Sequence, residues 1–154
     1  MNLVGFWLGG LLGSFFLDFD HLVYALIINP QTPTNFKIKQ LFGRRRFKEA
    51  VSLLTETTRE RFRLPFHNSL FQLVFYVFCF FVLTSTGSLF GAGLVMAMAL
   101  HLLKDEVQLL LAGQEEWLRQ LLFWPVKVKV DLQQQKLFVI LMLLIFLGLN
   151  VLLV

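Results

Sequence analysis

The chain has 154 residues, of which 56% are hydrophobic, 15% aromatic and 16% charged. An average soluble domain is about 45–50% apolar and about 25% charged, so an ordinary soluble globule is excluded, as is a disordered, collagen-like or coiled-coil chain. One cysteine excludes an internal disulfide, and a net charge of +4 on so apolar a chain points to anionic lipid before nucleic acid.

A spanning helix needs about 20 mainly apolar residues. The first such stretch covers about residues 3–28 and is interrupted by Asp18, Asp20 and His21. It lacks a basic leading region and a small-residue cleavage site, so a retained helix is expected rather than a signal peptide. Asn29-Pro30-Gln31-Thr32-Pro33-Thr34 is a cluster of helix breakers that ends it. The following loop, about residues 30–64, carries nine of the fourteen Lys and Arg. Within it Phe47, Val51, Leu54, Thr58 and Phe62 recur at steps of three and four. That spacing predicts an amphipathic helix with a basic face, lying at an anionic leaflet.

A second apolar stretch covers about residues 66–83 and a third about 89–111, the latter interrupted by His101, Lys104, Asp105 and Glu106. Cys79 sits within the second and is expected to pack as a small apolar side chain. Gly9, Gly10, Gly13, Gly91 and Gly93 suit close helix packing. Trp117, Phe123 and Trp124, with Arg119 and Pro125, suit an interfacial anchor. A fourth stretch, about 137–154, is apolar apart from Asn150. The expected fold is therefore all-α: one polytopic domain over residues 1–154, with four transmembrane helices plus amphipathic cytoplasmic helices. The turn Thr84–Ser88 and both termini carry no Lys or Arg. The positive-inside rule then places both long loops in the cytoplasm and both termini outside.

Depth brings the polar groups together. Asp18 falls roughly 22 Å below the outer start of the first helix, and His101 and Asp105 roughly 18 and 24 Å below that of the third, at about 1.5 Å per residue. His67 stands at the cytoplasmic start of the second. His101 and Asp105, four apart, share a helix face, as do Asp18 and His21, three apart. Asp20 points elsewhere on an ideal helix; it joins the others where the helix loosens, or faces water. Carboxylates and imidazoles at one level match the ligands of zinc, manganese or iron. They equally suit a structural hydrogen-bond network between helices.

Leu17-Asp18-Phe19-Asp20-His21, Arg63-Leu64-Pro65-Phe66-His67-Asn68-Ser69, His101-Leu102-Leu103-Lys104-Asp105 and Trp124-Pro125 occur in this order. They resemble the motifs of small bacterial inner-membrane proteins described as membrane-bound metal-dependent hydrolases, a family with a LexA-regulated member. In that family the first motif is Pro-Asp-x-Asp-His, the second His-Arg-Gly-x-Thr-His-Ser and the third His-x-x-x-Asp. Here Leu17 replaces the proline, Arg63 stands at the first histidine of the second motif, and Asn68 at the second unless His67 takes its place by a one-residue shift. The resemblance implies a divalent metal, zinc foremost, held by Asp18, Asp20, His21, His67, His101 and Asp105. It also implies hydrolysis, of a lipid head group or another phosphoester, in an inner membrane. Asp20 or Glu106 would serve as general base, and Arg61 and Arg63 would hold an anionic substrate. The competing reading is a non-enzymatic membrane protein, lipid-binding or a complex subunit, whose polar layer is structural. An ion carrier would need acids at mid-depth and on the outer side, and none lie there.

Overall fold

The computed structural model describes residues 3–85, 87–127 and 129–153, and these are helical with no strand among them. Thr86, in the expected turn, and Val154, the end of the fourth expected span, lie outside the described residues. The described residues form two compact units. The first contains the chain up to Leu17 and from Phe66 onward; the second is Asp18–Pro65.

The first unit holds α1 (Val4–Phe16), α5 (Ser69–Ser85), α6 (Leu89–Leu111), α7 (Glu115–Leu122) and α8 (Leu132–Val151). Its helix starts follow from local chemistry. Asn68 caps α5 by accepting from the Phe71 amide (3.0 Å), so the helix begins after His67 rather than at Phe66. Ser88 caps α6 by accepting from the Gly91 amide at 3.1 Å. Asp131 and Gln134 form a reciprocal capping box that starts α8 at Leu132, five residues before the expected span. Gly113 closes α6 with φ +65, a left-handed conformation that suits glycine.

The most extensive helix contact is between α1 and α6. A Cβ placed on Gly9 would strike the Phe90 carbonyl and come within 2.9 Å of the Leu94 amide nitrogen. One on Gly13 would strike the Leu94 carbonyl, and one on Gly93 the Phe6 carbonyl. The two backbones therefore touch directly, as the glycine spacing suggests. Cys79 is fully buried against this core. In α7 Leu118, Leu121 and Leu122 turn inward. Arg119 forks onto Glu116 (3.0 and 2.6 Å), holding that exposed carboxyl down at about 2.

The second unit holds α2 (Phe19–Val23), a π-helical turn (Tyr24–Ile28), α3 (Pro33–Gly43), α4 (Phe47–Glu56) and a 3₁₀ turn (Thr58–Glu60). Thr32 caps α3 with Pro33 at its first position, so the breaker cluster starts a helix as well as ending one. The expected amphipathic helix exists, but its buried stripe differs. Ala50 is buried with Leu53 and Leu54 half-buried, while Phe47 and Val51 stand 55% and 53% exposed. Asp20 does not face water: it is fully buried in this unit.

Two helical runs are long and apolar enough to cross a bilayer, Val4–Ile28 and Leu132–Val151. The apolar helix α5 is shorter, at 17 residues. In α6 the last third carries His101, Lys104, Asp105 and Glu106.

Alanine at Gly9 or Gly93 should cost about 1–3 kcal/mol, the usual range for overpacking a rigid contact. Alanine at Gly148, whose surroundings are open, should change stability by under about 0.5 kcal/mol or raise it slightly. Denaturant titration in detergent checks the contrast; equal effects at the two kinds of site would contradict direct backbone packing.

Candidate metal centre

In the first unit two imidazoles converge on one carboxylate. His67 lies in the bend before α5 and is 3% exposed. His101 and Asp105 lie one turn apart on α6. Asp105 Oδ2 is 3.3 Å from His101 Nε2 and 3.7 Å from His67 Nε2. The two rings meet edge to face with centroids 5.7 Å apart. Lys104 reaches the other oxygen, Oδ1, only at 3.6 Å from a largely exposed position.

The orientation of His101 is fixed from behind. Its Nδ1 lies 2.8 Å from the Ser14 carbonyl oxygen. A carbonyl can only accept, so Nδ1 carries the proton and donates. Ser14 belongs to the last turn of α1, where carbonyls lack an intrahelical N–H partner. In a neutral ring Nε2 then presents its lone pair to the Asp105 carboxylate. Two acceptors 3.3 Å apart repel unless a proton or a cation lies between them. An imidazole braced at one nitrogen by a carbonyl and directed at its other nitrogen toward a carboxylate has the outer support usual for metal-ligating histidines.

One residue on, about 100° round α6 from Asp105, lies Glu106, 2% exposed. Gln72 of α5 lies beside both the Glu106 carboxyl and the Tyr76 hydroxyl. Gln72 and Tyr76 were not picked out by the motifs, although two polar residues four apart in an apolar helix are the kind of signal that marks a buried polar group.

The second unit holds the remaining expected residues. Asp18 is exposed at its start, and Asp20 and His21 belong to α2. Arg61, expected to hold an anion, is instead fully buried. It donates through Nε to His21 Nδ1 (3.4 Å), through Nη1 to Thr57 Oγ1 (3.1 Å) and through Nη2 to the Leu54 carbonyl. Loss of hydration lowers the pKa of this guanidinium from its ordinary value. With its N–H groups turned inward, it is an internal brace and not a substrate clamp. The bond to His21 has a further consequence. Nδ1 accepts, so in this arrangement the ring proton sits on Nε2. Arg63 remains exposed, with its guanidinium 5.8 Å from the Phe62 ring centre.

No protein-family model matches the chain, and no curated protein or solved structure matches it either.

Replacing Arg61 by Met should destabilise the protein by about 1–3 kcal/mol, the range for leaving buried polar groups without their hydrogen-bond partner. Arg63→Met should stay within about 0.5 kcal/mol. Limited proteolysis at residues 18–65 distinguishes the two; equal digestion rates would place Arg61 at the surface.

Proposed function

We propose that the chain is a membrane-bound metal-dependent hydrolase whose divalent cation is held by His67, His101 and Asp105. The observation that carries this reading is the pairing of His101 Nε2 with Asp105 Oδ2 while Nδ1 is committed to the Ser14 carbonyl. His67 and His101 each offer one ligand atom of the type such a site needs. Carboxylate and imidazole without thiolate favour zinc, with manganese or iron as alternatives. The metal when bound would lower the pKa of a coordinated water to about 7 and polarise the bond to be hydrolysed. Glu106 Oε1 or Oε2 would accept the proton of the attacking water. Arg63, not Arg61, is the candidate for an anionic head group.

The proposal includes four membrane spans, with α5 and α6 joining the two full-length apolar runs. The asymmetry of Lys and Arg supports cytoplasmic loops, external termini and contact with anionic head groups of an inner membrane. The substrate class is a lipid or another phosphoester, which the resemblance of the motifs suggests.

Purified wild-type protein should carry near-stoichiometric zinc, manganese or iron by elemental analysis, and His101→Ala and Asp105→Ala should lose it. Metal-loaded Glu106→Gln should keep its metal while kcat on a phosphoester panel falls about 10²–10⁴-fold. A wild-type protein that takes up no metal even on reconstitution would leave the proton-bridged ion pair. The chain would then be a non-enzymatic membrane protein with a structural polar layer.

A further inference from the structure

The first unit contains a groove of about 280 Å³ between α1, α5 and α6. Its walls are wholly apolar, formed by Leu17, Phe66, Phe71, Phe75, Leu94 and Met98 among others. Phe16 and Phe78 stand at its rim, 56% and 54% exposed. On α5 this rim runs into Val74, Val77 and Phe81, which are also exposed. At the other end the groove meets the polar cluster. Phe66 directly precedes His67, and Met98 lies one helical turn before His101. Leu94 lies two turns before His101, so the groove extends roughly 10 Å along α6 from the imidazoles.

We propose that this groove seats one acyl chain of an anionic membrane lipid, with the head group at His67 and His101. This deepens the function proposed above and rests on it for the head-group end: the substrate would be a lipid, gripped by its tail. Size excludes a helix of a second copy or of another protein, since a helix with side chains is about 10–12 Å across. The absence of any polar wall excludes a water-soluble polar ligand, whose groups would be desolvated without partners. Continuity with the lipid-facing side of α5 lets a chain enter sideways from the bilayer. A cation held at the imidazoles, as proposed above, would complement a negative head group.

Native mass spectrometry of full-length protein in nanodiscs tests this, with dioleoyl phosphatidylglycerol set against dioleoyl phosphatidylcholine. Metal content is measured on the same samples. Wild type should retain one phosphatidylglycerol in preference to phosphatidylcholine. Met98→Trp, which fills the groove, should cut retention more than tenfold while keeping its metal. Leu94→Phe, a smaller filling, should give an intermediate loss and serves if the tryptophan variant does not fold. Leu144→Trp, on the exposed face of α8 away from the groove, should retain lipid like wild type. Retention that is unchanged in both filled variants, a lipid-free wild type, or a lipid-free dimer that Met98→Trp breaks apart would each overturn the proposal. Groove-dependent retention in a wild type that binds no metal would uphold the groove and sink the metal centre. Metal binding with groove-independent retention would do the reverse.

Discussion

The direct contact of the α1 and α6 backbones sets the geometry of everything else in the first unit. If both helices span the bilayer as proposed, lipid offers no hydrophobic gain from pressing them together, and their association depends on close packing and interhelical hydrogen bonds. Glycines 9, 13 and 93 remove the side chains that would hold these helices apart. That approach brings the last turn of α1 to within hydrogen-bonding distance of the His101 ring. A larger residue at any of the three positions would separate the carbonyl of Ser14 from the imidazole it orients. The packing and the site therefore depend on the same few residues.

From this fixed axis α6 presents two polar faces. His101 and Asp105, four residues apart, look toward His67; Glu106 sits about 100° round the helix, toward Gln72 and Tyr76. The division separates ligand-type chemistry from a buried carboxyl with amide and hydroxyl neighbours. Each group costs free energy to bury in an apolar bundle. The imidazoles and Asp105 offset that cost mutually, and a bound cation would offset it further.

The helical character, the glycine contact and the buried Cys79 were legible in sequence because each depends on local composition or short periodicity. His101 and Asp105 were legible for the same reason: a four-residue spacing fixes their common face in any helix. The segment after Leu17 was not. An ideal helix carried through to Ile28 leaves Asp20 free to face water, but the chain loosens at Leu17–Asp18 and again in the π-helical turn, and Asp20 is buried. Arg61 was misjudged because one of nine cations in a basic loop carries no mark of burial. Its role emerges only once Thr57, the Leu54 carbonyl and His21 fold around it. The buried stripe of α4 shifted for a related reason. Periodicity finds the most apolar stripe, whereas packing around Arg61 and α3 selects small Ala50 and leaves Phe47 and Val51 outside.

What separates an enzyme from a structural bundle is the occupant of the gap between His101 Nε2 and Asp105 Oδ2. A proton there makes an ion pair, whose attraction in a bundle of this kind barely repays its desolvation. It also leaves His67, 3.7 Å from the same oxygen, competing for a single carboxylate. A divalent cation of the kind proposed would resolve that competition, since both imidazoles and the carboxylate could serve it as ligands together. Imidazoles must be neutral to serve as ligands, so occupancy would fall on acidification as protons displace the cation. The convergence of two rings on one oxygen, with one ring braced from behind by a backbone carbonyl, is therefore better matched to a shared cation than to a shared proton.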